Sequence, residues 1–114
     1  MKYYEKEFSI KSHPDLTFRF KKMSPIDLLA VANDVEMFAG TYDSELYKKY
    51  LTSVLENTEV KVKDSWLPVK EGGNYYPAYL GDDLKGLREI VNNFFTEVIR
   101  PVFTDSSESV KEPE

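Results

Sequence analysis

From Leu84 to Ile99 the chain repeats apolar residues at helical spacing: Leu84, Leu87, Ile90, Val91, Phe94, Phe95, Val98 and Ile99 recur at i, i+3 and i+4. That face is wider than the single stripe a surface helix buries. Either both of its flanks are packed within one chain, or part of it is covered by another. The segment just before it holds the only Trp, Trp66, together with Tyr75, Tyr76 and Tyr79. Tyr and Trp serve both as core walls and as interface anchors, and these four are expected to wall the core beside this helix.

The rest of the chain supplies partners for such a helix. Tyr4, Phe8 and Ile10 alternate loosely over residues 3–11, and Leu16, Phe18 and Phe20 alternate cleanly, which predicts two strands. Ser12-His13-Pro14-Asp15 between them has turn composition and predicts a β-hairpin. Ser24-Pro25-Ile26-Asp27 is a helix start, with Ser at N-cap, Pro at N1 and an acid near the positive end of the dipole. Ile26, Leu29, Ala32 or Asn33, and Val35-Glu36 to Phe38 follow helical spacing up to Gly40, which suits a left-handed C-cap. A second helix is predicted from near Asp43 to about Asn57, with Leu46, Tyr47, Tyr50, Leu51, Val54 and Leu55 on one face.

At Thr58 the period changes to two, with Val60 and Val62 alternating with Lys61 and Lys63. Lys63-Asp64-Ser65 turns the strand, and Trp66-Leu67-Pro68-Val69 returns along it as an edge strand, because Pro68 has no N–H for a ladder. Lys70-Glu71-Gly72-Gly73-Asn74 reads as a flexible loop. The third helix starts at Asp82-Asp83 and is expected to end at Pro101, which disfavours helical geometry at Arg100. The prediction is a single α+β domain over 1–103, with three amphipathic helices packed on short antiparallel β-hairpins. Residues 104–114, rich in Ser and Glu, read as a disordered acidic tail.

One hundred and fourteen residues suffice for one core. Cysteine is absent, so disulfides, thiolate nucleophiles and Cys-type zinc sites are excluded. The charged start Met1-Lys2-Tyr3-Tyr4-Glu5 leads to no apolar stretch of signal or membrane length, which predicts a cytoplasmic protein. A net charge of −5 argues against nucleic acid, and Arg19, Lys21 and Lys22 form the one basic cluster. His13, the only histidine, is read as an exposed turn residue, so a His-pair metal site cannot be assembled within one copy. Asp82-Asp83 complements a helix dipole, and no carboxylate pair, glycine loop or nucleophile nominates catalysis or a cofactor.

Three stretches carry a family resemblance. They are Phe18-Arg19-Phe20-Lys21-Lys22-Met23-Ser24-Pro25-Ile26-Asp27-Leu28-Leu29-Ala30, then Glu59-Val60-Lys61-Val62 before Trp66-Leu67-Pro68-Val69-Lys70, and, after the long helix, Pro101-Val102-Phe103-Thr104-Asp105-Ser106-Ser107-Glu108-Ser109. In this order they resemble small tail assembly chaperones of long-tailed phages and prophages of Gram-positive bacteria. The resemblance implies a non-enzymatic protein of the host bacterial cytoplasm. It would bind the tape measure protein, recruit tail tube subunits of the major tail protein, and possess no cofactor. In that family a longer product is often made by frameshifting near the end of the short frame, which would make the acidic tail a junction. The family is expected to be mainly helical, whereas residues 3–20 and 58–69 read here as strands.

A chaperone for a long helical client needs apolar anchors with polar rims rather than a closed pocket. The residues expected to touch a protein partner, or a second copy of the chain, are Trp66, Tyr76, Tyr79, Ile90, Phe94, Val98 and Phe103. The competing reading is a phage-encoded inhibitor of a host enzyme whose acidic surface mimics nucleic acid. It is disfavoured because Lys48, Lys49, Lys61, Lys63 and Lys70 interleave with the acids.

Overall fold

The structure, a computed structural model, describes residues 3, 4, 6–41 and 43–103, with the backbone alone for 37–41. The expected acidic tail, 104–114, lies outside the described residues. The elements are β1 (Phe8–Ile10), β2 (His13–Phe20), α1 (Pro25–Thr41), α2 (Ser44–Glu56), β3 (Thr58–Val62), β4 (Ser65–Pro68), β5 (Lys70–Glu71), β6 (Asn74–Tyr75) and α3 (Leu84–Phe94). A 3-10 segment, Ala78–Asp82, leads into α3, and a π-helical turn, Phe95–Ile99, follows it. The fold is α+β.

The two predicted hairpins are halves of one antiparallel sheet of order β1-β2-β3-β4. Phe18 pairs with Val60 and Phe20 with Thr58, across the whole α1–α2 excursion. Pro68 does lie on an edge strand, β4. Two expectations about turns change. The first hairpin turns at Lys11-Ser12, so His13 and Pro14 belong to β2. Pro14 is tolerated there because β2 is irregular between its Ile10–His13 and Phe8–Phe18 pairs, and its described pairs with β3 begin only at Thr17. The second change is at Gly72-Gly73, which is the two-residue turn of a small β5–β6 hairpin, with Gly72 at φ 61°.

The β3–β4 turn is made by Lys63 (φ 49°) and Asp64 (φ 68°), both left-handed. Two positive φ values match the right-handed strand twist, but Asn-Gly accepts them with less strain than Lys-Asp. Replacing Lys63-Asp64 by Asn-Gly is therefore expected to stabilise the fold by about 1 kcal/mol. Denaturant unfolding checks this, and an unchanged or lowered midpoint would refute it.

Helix starts follow their sequence signals. Ser24 Oγ accepts from Asp27 N at 3.2 Å, and Asp43 Oδ1 accepts from Glu45 N and Leu46 N at 3.0 and 3.2 Å. α1 runs through Gly40 to Thr41, so Gly40 sits in its last turn rather than beyond it. The inward side of α1 also differs from expectation. Val31 and Ala32 are buried, and Leu28 and Val35 half-buried, while Ile26 is 78% and Leu29 62% exposed. Ala32 and Val35 of the expected face do turn inward, while packing chiefly against α2 brings in Leu28 and Val31 in place of Ile26 and Leu29.

One face of the sheet is the core wall. Ile10, Phe18, Phe20 and Val60 pack with Tyr50, Val54 and Leu55 of α2 and with Ile90, Phe94, Val98 and Ile99. The Phe20 and Phe94 rings meet edge to face at 5.2 Å between centroids. Ile90, Phe94 and Val98 are four residues apart, so on a regular helix each step overshoots by about 40°. The wider turn at Phe95–Ile99 takes up that drift and aims Val98 and Ile99 inward. It also resolves the expected stop at Pro101. Pro has no N–H for the carbonyl four residues back and would crowd it. With the preceding turn widened, helical geometry continues through Pro101 to Phe103.

Candidate functional site

A groove of about 550 Å³ lies between α2, α3 and the β5–β6 hairpin. α2 lines it with Tyr47, Lys48, Leu51, Thr52 and Leu55, adjacent pairs and single residues recurring every three or four positions along one side of the helix. α3 opposes them with Leu84, Leu87, Arg88, Val91 and Asn92, in the same spacing. Tyr75 and Lys70 close one end, where Lys70 lies 3.9 Å from Glu56 at the end of α2. Lys70 Nζ also donates to the Gly72 carbonyl, so this lysine is held by the hairpin it belongs to. The lining is mostly apolar, with Lys48, Arg88 and Asn92 exposed among it. Tyr50 of α2 lies in the core, and burial pushes its phenol up to about 12, with Tyr47 adding to the shift.

The sequence-predicted contact residues distribute over four places. Ile90 and Phe94 are fully buried and Val98 nearly so, which corrects the expectation that this part of α3 is free to touch a partner. The sheet covers it, so the more open flank of α3 is the one bearing the exposed Leu84 and the half-buried Leu87 and Val91. Phe103 stays partly open, 37% exposed beyond the π turn. Tyr76 and Tyr79 are exposed, at 42% and 51%. The expected wall beside α3 therefore reduces to Tyr75, which packs on the core edge and into the groove.

Trp66 lies on the opposite side of the sheet. Its pairing with Lys61, and that of Lys61 with Thr17, places it on the face of Arg19 and Glu59 rather than that of Phe18 and Val60. There the Arg19 guanidinium is sandwiched between the Tyr3 and Trp66 rings, 3.4 and 4.0 Å from their centroids. Glu59 Oε1 accepts from Arg19 Nε at 2.9 Å and lies 2.8 Å from Nη2. The stack ties the N-terminal segment to the edge strand β4 and satisfies its own charge, so it clamps the sheet. Arg19→Ala is expected to lower stability by about 1–2 kcal/mol and shift the emission of Trp66 to longer wavelength. Unchanged fluorescence and stability would refute the clamp.

His13 is likewise displaced from its expected role as an exposed turn residue. Its ring packs on Tyr79 at 4.7 Å, and its Nε2 lies 3.1 Å from Asp83 Oδ2. Ser12 Oγ donates to the same oxygen at 2.7 Å, while Asp83 Oδ1 accepts from Gly86 N at 2.9 Å. These bonds, the Gly86 N–H first, hold the Asp83 carboxyl below the usual carboxylate range. Ser, His and Asp meet here, but Ser12 donates to the carboxylate and leaves His13 no proton to take from it. The cluster joins the first hairpin to the start of α3.

The sequence reading missed Lys48 and Arg88 at the groove. A signal was present, since each cation falls beside an apolar stripe of its helix. Among the described residues, no group of three or more His, Asp or Glu side chains is placed to hold a metal ion, and no helix is long and apolar enough to cross a membrane. Comparison with protein families, curated proteins and solved structures returns no match.

Proposed function

We propose that this protein is a non-enzymatic binding domain that holds an apolar helical stretch of a client protein in the α2–α3 groove. The observation that carries the reading is the groove itself: a mostly apolar lining drawn from α2 and α3, with Lys48, Arg88 and Asn92 exposed among it. Such a surface suits repeated, reversible contact with a chain, as a helix laid in a groove makes. The exposed Ile26 and Leu29 on α1 add apolar area outside the groove.

The resemblance to tail assembly chaperones supports a specific form of this function. The client is then a tape measure protein, held while tail tube subunits of the major tail protein are recruited. Co-expression with the tape measure and tail tube proteins of the same genome tests it. The expected result is co-purification of the tape measure protein, weakened by Leu84→Asp, a groove substitution at a side chain 77% exposed and therefore tolerated by the fold. Absence of co-purification, together with normal tails after deletion of the gene, would sink the proposal.

A further inference from the structure

We infer that the α2–α3 groove selects an acidic amphipathic helix, with Asp or Glu flanking its apolar stripe. The inference rests on the proposed binding role and adds the chemistry of the occupant. Its basis is charge. The chain carries a net −5, yet the titratable side chains lining the groove, apart from its tyrosines, are Lys48, Lys70 and Arg88, with no carboxylate among them. Lys70 is engaged with Glu56 and the Gly72 carbonyl, and stays only 15% exposed. Lys48 and Arg88 are exposed, one on each helix, and among the described residues no ion pair involves either.

Two unpaired cations facing across an apolar floor leave a positive rim on an acidic protein. A basic or neutral helix would meet like charge or leave both cations partly desolvated, whereas carboxylates on either side of an apolar stripe complement them. From Tyr47 to Leu55 the α2 wall is about 12 Å long, which accommodates about two turns of a docked helix. The contact is therefore short, with affinity from the floor and selectivity from the rim.

The test uses the full chain and two fluorescent synthetic helical peptides of about 14 residues, long enough to span the groove. They share one leucine stripe and differ only in Glu or Lys at the flanking positions. The acidic peptide is expected to bind about tenfold tighter at low salt, and the gap to shrink at about 0.5 M salt. Lys48→Glu with Arg88→Glu reverses the preference, and Leu84→Asp weakens both peptides. Equal, salt-insensitive binding of the twins that Leu84→Asp still weakens overturns the charge selectivity and leaves the groove reading standing. Binding indifferent to Leu84→Asp, or no binding of either peptide, overturns both. Self-association that Leu84→Asp abolishes and the acidic peptide cannot compete away assigns the groove to a second copy and overturns the inference.

Discussion

Phe94→Ala is expected to lower the stability of the fold by about 3–5 kcal/mol, while the same change at the adjacent Phe95 stays within about 1 kcal/mol. Phe94 is fully buried, with the rings of Phe20 and Tyr50 at 5.2 and 6.3 Å, whereas Phe95 is 41% exposed. Truncation at 94 opens a cavity where the sheet, α2 and α3 meet, and rigid neighbours on three sides leave little room to collapse into it. A domain of this size has about 5–15 kcal/mol in total, so the variant stands near the limit of folding at 37 °C. Denaturant unfolding of the two variants decides the point. Equal, small effects would mean that Phe94 is a surface anchor after all, and α3 would have to be redrawn with its other flank inward.

The second large effect lies at the junction of the first hairpin with α3. Asp83→Ala removes the N-cap acceptor for Gly86 N and the acceptor for Ser12 and His13, and is expected to lower stability by about 2–3 kcal/mol. Gly86 depends on the same carboxylate. A Cβ there would stand 2.3 Å from Asp83 Oδ2 and 3.0 Å from Ile10 Cδ1. Ala is the better helix former by about 1 kcal/mol, yet Gly86→Ala in the native background must evict an oxygen that Ser12 and His13 both hold. It is expected to destabilise the native protein and to be neutral or stabilising once Asp83→Ala has removed that oxygen. A double-mutant cycle measures this, and additivity would refute the steric coupling.

The same junction sets an acid limit. The folded Asp83 carboxyl is held below its ordinary value, so the folded state binds fewer protons than the unfolded one. Its stabilisation is present above the unfolded pKa, about 3.9, and is lost as pH falls through the lower folded value. The stability gap between the native protein and Asp83→Ala should therefore be constant near neutral pH and narrow only below about pH 4. A gap that closed nearer neutral pH would refute the assignment to the Asp83 carboxyl.

Much of the local structure was legible. Ser24, Asp43 and Asp83 mark helix starts because a cap is a contact between residues two or three apart. Val60 against Lys61, and Phe18 against Arg19, mark a strand with one face buried for the same local reason. Trp66 was misplaced because a strand flanked by apolar residues on both sides does not declare which side faces the core. Its register against Lys61 decided that, together with an arginine far along the chain to stack upon. His13 read as a turn residue because its partner, Asp83, is seventy positions away in sequence. The groove was half-legible: the apolar stripe of α3 was plain, but its division into a covered and an open flank was not.

By itself the sequence determined the three helices, the four strands of the main sheet, their order and an apolar surplus on the last helix, since periodicity, caps and turns are set by neighbours within one or two turns. Only the tertiary structure decided which flank of that helix is core. The sheet has one apolar face, and the side of α3 bearing Ile90, Phe94 and Val98 fits it once the π turn corrects their spacing. The other side, with Leu84, Leu87 and Val91, is left facing α2 across an open groove. Which of two apolar flanks finds a complementary surface is a question of shape between segments distant in sequence, and local pattern holds no information about it.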